Sequence, residues 1–232
     1  MSLVGKVYII TGAGGAISSA INTAFRDAGA QLALADRPGN AERARDQLGA
    51  GLAVAVDLSS LEGAQSMVAA TVKHYGQIDG LIHTVGGFST GKILEFKPED
   101  LTRMFDVNVK TLAYAVAAVL REVLKQENGF IGGISAAQVA RGSGAGAALY
   151  TAAKGAVALY LKSLDAEMKG SSAKAGVVYP MGAVDTPANR RDMPDADPNT
   201  WIDPAEIAAA FVYMASRSAR GRVLEMQVFP AR

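Results

Sequence analysis

The sequence predicts an α/β protein: a doubly wound, three-layer sandwich with a mainly parallel sheet of about seven strands. Three observations predict it. Short apolar, β-branched runs alternate with longer helical patterns along the whole chain, and strand–helix–strand repetition implies parallel strands with right-handed crossovers. The short runs lack polar alternation, as expected when a sheet is covered on both faces. Half of the 232 residues are hydrophobic, 25 are Gly and only 6% are aromatic, a composition suited to one domain with tight helix-on-sheet packing.

The elements follow in order. A strand over residues 7–11 leads into a helix over 16–28, which Gly29 stops. Strand 31–36 precedes helix 41–48, and strand 52–56 precedes helix 61–75, with Ser59-Ser-Leu-Glu62 reading as its capping box. Strand 80–84 is followed by one long helix over 99–126, and strand 130–135 by a helix over 150–168. Strand 175–179 is followed by residues 186–201, rich in Pro, Asp, Asn and Arg, which fit neither pattern. A segment of that length in a compact domain reads as a substrate lid or as a surface insertion. Helix 204–215 opens with Asp203 as N-cap, Pro204 in its first turn and Glu206 at N3, and strand 223–229 closes the sheet. No linker, repeat or low-complexity tract divides the chain, so residues 1–232 read as a single domain.

Composition excludes several classes of function. With 23 basic and 22 acidic side chains, no basic nucleic-acid surface or polybasic membrane segment is expected. The absence of Cys rules out disulfides, thiolate metal sites and thiol catalysis, and two histidines, His74 and His83, make a metal cluster unexpected. The N-terminus does not read as an export signal and no run is long enough to span a bilayer, so a soluble, cytoplasmic protein is expected.

The first strand-to-helix turn reads Thr11-Gly-Ala-Gly-Gly-Ala-Ile-Ser18. Glycines there let the backbone approach a pyrophosphate, and the helix N-terminus supplies free N–H groups and positive dipole; this is the logic of a Rossmann-type dinucleotide site. Asp36, at the end of the second strand, is placed to accept both adenosine ribose hydroxyls and to repel a 2′-phosphate, which favours NAD(H). Arg37 beside it leaves NADP(H) open, and Asp36 could instead cap the following helix. Asp57-Leu58 could hold the adenine edge, or Asp57 could be only a turn residue. The strand ending His83-Thr-Val-Gly-Gly87 should face the cofactor through its glycines, with His83 packed or hydrogen-bonded rather than acting as a base. Tyr150 and Lys154 share one helical face, where an ammonium would lower the phenol pKa and suit it to proton transfer at a carbonyl or imine during hydride transfer.

With these parts in place, the chain resembles the short-chain dehydrogenase/reductase family over essentially its whole length. The matching parts are Thr11-Gly to Gly15, Asp36, Asp57, Val85-Gly86, Asn108 in Asp106-Val-Asn-Val, the Tyr150/Lys154 pair, and Pro180-Met-Gly-Ala-Val-Asp-Thr186. The resemblance implies that Tyr150 is the general acid/base, that Lys154 tunes it and binds the nicotinamide ribose, and that Asn108 supports a proton-relay water. It implies cofactor contacts from Gly12, Gly14, Gly15, Ala16 and Ile17, then from Asp36, Arg37, Asp57 and Leu58, then from Val85, Gly86 and Gly87. Pro180, Gly182, Val184 and Thr186 would hold the nicotinamide. A small-molecule substrate is implied, as is a homodimer or homotetramer paired through the alanine-rich faces of the two long helices.

Four departures from the family pattern stand out. Ala16 and Ser18 occupy glycine positions, His83-Thr84-Val85-Gly86 replaces Asn-Asn-Ala-Gly, and Met181 sits inside the usual Pro-Gly. The position of the catalytic serine is held by Ala136, one residue after Ser135. Dihydropteridine reductase-like members of the family manage without that serine. Gly14-Gly-Ala-Ile17, Val85-Gly-Gly-Phe88, Tyr150-Thr-Ala-Ala-Lys-Gly-Ala-Val157 and residues 185–197 with Trp201 resemble their segments. The leading expectation is therefore an NADH-favoured reductase of a planar carbonyl, quinonoid or imine substrate, with a quinonoid dihydropteridine as the alternative substrate. A cofactor-binding regulator with impaired catalysis is favoured only by Ala136. A Rossmann methyltransferase would have no use for the Tyr150/Lys154 pair.

Overall fold

The computed structural model describes residues 1–218 and 220–231. Seven strands, β1 (Val7–Thr11), β2 (Gln31–Asp36), β3 (Leu52–Ala55), β4 (Gly80–His83), β5 (Phe130–Ile134), β6 (Lys174–Pro180) and β7 (Glu225–Val228), form one sheet in the order β3-β2-β1-β4-β5-β6-β7. Every pairing is parallel; Ile9 of β1, for example, stands opposite Ala33 of β2 and Leu81 of β4. The strand order reverses beside β1, so the carboxyl ends of β1 and β4 splay apart and leave a crevice for a ligand.

Helices cover both faces. On one lie α3 (Leu61–Tyr75), α5 (Thr111–Val123) and α7 (Ala148–Glu167); on the other lie α1 (Ala16–Asp27), α2 (Asn40–Leu48) and α9 (Pro204–Ala215). Successive β1 residues serve opposite layers: Ile9 joins Leu112, Val116 and Val157, while Tyr8 and Ile10 join Phe25, Ile207 and Phe211. Both faces of each central strand are buried in this way, which is why the sequence shows apolar runs instead of alternation. Tyr8 meets Phe25 edge to face at 5.0 Å.

Two expectations are corrected. The helix expected over 99–126 is broken into α4 (Pro98–Phe105), a π-helical turn (Asp106–Lys110) and α5. Apolar periodicity runs through both pieces and does not register one residue of extra winding. The N-cap of α3 is Ser60, whose hydroxyl accepts from Gly63 N–H at 3.0 Å, not Ser59. Ser59 instead donates to Asp57. A third region gains structure: the segment 186–201 contains a short helix α8 (Pro187–Asp192) and a 3₁₀ turn (Pro198–Thr200), with α6 (Ala137–Ala140) the other short helix. Thr186 and Asp197 cap these turns, and such local caps leave no 3.6-residue apolar stripe to read.

Candidate active site

A cleft of about 930 Å³ opens at the carboxyl ends of β1 to β4. Its floor is the first turn, Gly12, Gly14 and Gly15, and its far wall is Asp36, Arg37, Asp57 and Leu58. Gly12 has φ +67°, and a Cβ there would lie 3.0 Å from Thr84 Oγ1, so both conformation and space call for glycine. Gly15 is the N-cap of α1 and offers no side-chain cap, so the first-turn N–H groups around Ala16 and Ile17 are left for another acceptor. Backbone donors at an uncapped helix N-terminus, a glycine turn and a cleft of this size fit a dinucleotide pyrophosphate.

Asp36 is not the cap of α2. Gly39 holds that place, with Glu42 Oε2 accepting from its N–H at 2.7 Å. The Asp36 carboxylate accepts from Gly14 N–H (2.9 Å), Arg37 N–H (2.7 Å) and Asn40 Nδ2 (3.3 Å), which ties the end of β2 to the glycine turn. Asp57 meets the second of its two expectations, a turn residue. It forms a turn by accepting from the Ser59 N–H and hydroxyl, which hold its carboxyl below the usual range, and it also lines the cleft. Asn40 of α2, Arg103 of α4 and Lys110 of the π-helical turn line the cleft as well, and none of them carried a sequence signal.

At the end of β4, Gly86 is the point of convergence. A Cβ on it would lie 2.8 Å from Asn108 Oδ1 and 2.9 Å from Lys154 Nζ, so both groups pack against Gly86, which lines the cleft, while Asn108, Lys154 and Tyr150 are not themselves among its lining residues. Asn108 is 1% exposed and sits in the π-helical turn. Its Oδ1 accepts from Gly87 N–H at 3.2 Å, and its Nδ2 donates to Gly87 O and Met104 O. Both amide hydrogens are thereby engaged, so the side chain fixes the Gly86-Gly87 turn and cannot itself donate to a water. Val85 lines the same wall. His83 is buried between Thr11 Oγ1 (2.9 Å) and Thr111 Oγ1 (3.2 Å), and burial, helped by the Lys154 charge, pushes its pKa down to about 3.

Tyr150 and Lys154 lie one turn apart on α7. Lys154 is buried, donates to Ile134 O at 3.1 Å and is pushed by desolvation down to about 8. Tyr150 is half-buried, and desolvation pushes its phenol up to about 12. The expected lowering of the phenol pKa by the ammonium is therefore not what this structure holds: Lys154 Nζ is turned to a carbonyl, and loss of solvent dominates the phenol. The Phe88 ring, 62% exposed, meets the Tyr150 ring edge to face at 4.8 Å. Ser135 is buried and donates to Lys154 O at 2.9 Å, so it braces α7 against β5 and takes no part in the cleft.

The segment after β6 is pinned on several sides. Met181 N–H donates to Val228 O, and Arg141 donates to Met181 O at 2.8 Å, a contact that no sequence signal indicated. A Cβ on Gly182 would lie 2.9 Å from Pro230, so Pro230 lies against it. Val184 pairs with Ile202, Asn189 donates to Val184 O, and Asp185 makes a two-pronged ion pair with Arg190 at 2.6 and 2.8 Å. Thr186 Oγ1 accepts from Asn189 N–H and caps α8, and Pro180 ends β6. Among the described residues no cluster of metal-ligating side chains is found, and no helix is long and apolar enough to cross a membrane.

Comparison with known proteins shows the family and the fold. Residues 6–197 match the family described as short chain dehydrogenase. An uncharacterized oxidoreductase of Staphylococcus haemolyticus is 30% identical over 234 residues, spanning 98% of each chain. A short-chain dehydrogenase/reductase from Serratia marcescens superposes with a TM-score of 0.87 at 25% identity, covering 99% of this chain and 98% of its own. The 3-ketoacyl-(acyl-carrier-protein) reductase of Brucella melitensis, solved complexed with NADH, superposes with a TM-score of 0.84 at 26% identity over 98% of both chains.

Proposed function

Because the chain belongs to the short chain dehydrogenase family and is an oxidoreductase, we propose that it reduces a carbonyl, quinonoid or imine group of a small molecule, with NADH favoured and Tyr150 as proton donor. The observation that carries this reading is the convergence of Lys154 Nζ and Asn108 on Gly86, at the wall of a cleft whose floor is the glycine turn. A reduced nicotinamide, when bound, would supply the hydride. The first-turn N–H groups of α1 would hold its pyrophosphate, and Asp36 would accept from its adenosine ribose. Lys154, with a pKa of about 8, is largely protonated at pH 7 and keeps two N–H donors beyond its bond to Ile134 O, enough for a second ribose. Tyr150, with a pKa near 12, is neutral at that pH and so carries the proton that this role requires.

A second reading narrows the substrate to a quinonoid dihydropterin. It is favoured by Ala136 at the serine position, which removes a hydroxyl donor, and by the exposed Phe88 ring beside Tyr150, which offers an apolar surface to a planar substrate. The enzyme acts as a homodimer or homotetramer in this proposal, using the partly exposed Ala113, Ala117, Ala152 and Ala156; Ala158 is buried against the sheet and is excluded from that role. The test is NADH oxidation with quinonoid dihydropterin against a panel of ketones, quinones and imines. Tyr150→Phe should cut turnover about 10²-fold or more while NADH binding persists. Full turnover in that variant refutes the assignment, and NADH binding without turnover on any substrate favours a regulator.

A further inference from the structure

We infer that His83, held as the neutral Nε2–H tautomer, is a positioning residue that couples the cofactor-binding turn to the π-helical turn carrying Asn108. As far as NADH enters, the inference rests on the proposed function. The proton count assigns every donor. Thr111 Oγ1 donates its only hydrogen to Val107 O at 2.8 Å, inside the π-helical turn. It can therefore only accept from His83 Nε2, which must carry the proton. His83 Nδ1 is then bare and accepts from the Thr11 hydroxyl at 2.9 Å. On the other side of Thr11, the Thr84 hydroxyl donates to Thr11 O at 2.6 Å, so Ser18 Oγ donates to Thr84 Oγ1 at 2.5 Å.

The result is one directed chain: Ser18 to Thr84 to the Thr11 carbonyl, then the Thr11 hydroxyl to His83 to Thr111 to Val107. It starts in the first turn of α1, crosses the ends of β1 and β4, and finishes beside Asn108. Thr11, Ser18 and His83 are each no more than 3% exposed, so water does not readily replace a lost partner there, whereas Thr84 and Thr111 line the cleft. Ser18 and His83-Thr84 are positions at which the sequence departs from the family pattern. The departures are mutually satisfied: the hydroxyl added at Ser18 meets the one at Thr84, and the imidazole at His83 fits between two threonines. An ordering of α1's first turn by a bound pyrophosphate would thus reach the Asn108 turn without passing through the substrate.

The first measurement is ¹⁵N NMR of the full chain, which has only two histidines, so His74→Gln identifies the His83 signals. A protonated Nε2 and a bare Nδ1 are expected; the reverse tautomer overturns the assignment. The second is amide hydrogen exchange with and without NADH. In the native chain NADH should slow exchange at residues 12–17 and at 106–111 alike. In Thr111→Val, which keeps shape and removes the hydroxyl, slowing should persist at 12–17 and fall tenfold or more at 106–111. Thr111→Ser should restore it, which loss of packing alone would not predict. Slowing at both segments in Thr111→Val overturns the coupling, as does protection confined to 12–17 in the native chain. NADH that protects neither segment overturns the coupling and the cofactor reading together. If Thr111→Val does not fold, Ser18→Ala interrupts the same chain at its other end and should give the same uncoupling.

Discussion

Replacing Gly86 with alanine is a sharp test of the site, because one methyl group lands where two functional side chains converge. The Cβ would lie 2.8 Å from Asn108 Oδ1 and 2.9 Å from Lys154 Nζ. Gly86 is not among the residues with positive φ, so the backbone accepts alanine and the whole effect is steric. Such contacts relax at roughly 3.5 Å, so both partners must move, by about 0.6–0.7 Å each. Asn108 resists because three hydrogen bonds to Gly87 and Met104 hold it, and Lys154 resists because it is buried and bonded to Ile134 O. Overpacking of this kind costs about 1–3 kcal/mol of stability. A displacement near 1 Å at a positioning group costs about 10²-fold in rate. The variant should therefore remain folded, with a Tm lower by about 2–4 °C for each kcal/mol lost, and lose about two orders of magnitude in kcat. Stopped-flow turnover and thermal denaturation on the same preparation measure both. Native kcat in Gly86→Ala would show that Lys154 and Asn108 need not hold these positions, and the reasoning from convergence would fail.

Other outcomes follow from neighbouring features. Gly155 lies mid-helix in α7, and an added methyl group would meet nothing within 4 Å, so Gly155→Ala should raise stability by about 1 kcal/mol in urea unfolding; a loss would mean that this face is covered. Asp36→Asn keeps shape and removes the charge facing the ribose, so the ratio of NADPH to NADH affinity, read by fluorescence titration, should rise about tenfold or more, and an unchanged ratio would remove Asp36 as the discriminator. His83 is neutral when folded, with a pKa near 3 set first by burial and then by Lys154, whereas an unfolded histidine titrates near about 6.5. The folded pKa is depressed, so its contribution is intact above about pH 6.5 and falls by about 1.4 kcal/mol per pH unit below that, towards pH 3. His83→Gln should flatten the acid limb of urea stability by that slope; an unchanged limb would place the acid sensitivity elsewhere.

Much of this architecture was legible because strands buried on both faces leave a direct imprint. Val7–Thr11 and Gln31–Asp36 are apolar runs bounded by turn residues, and their structural limits coincide with those read from the sequence. The glycine turn, Asp36, and the Tyr150/Lys154 spacing were legible for a related reason: each is a local pattern whose geometry a helix or a strand end imposes. What the sequence could not carry are facts about neighbours remote along the chain. The π-helical turn at Asp106–Lys110 interrupts an unbroken apolar periodicity. The bond from Arg141 to Met181 O and the Phe88 ring on Tyr150 join segments whose proximity only folding creates. Electrostatics divides in the same way. A lysine four residues after a tyrosine suggests a lowered phenol pKa, yet the tertiary environment removes solvent from both groups and turns the ammonium to Ile134 O, so the phenol rises and the ammonium falls. By itself the sequence determined the fold class and most of the residues proposed for the site, since those depend on periodicity and local spacing. Tertiary structure alone decided which donors meet which acceptors and how much water each loses, because both depend on the packing of β1, β4, the π-helical turn and α7 against one another.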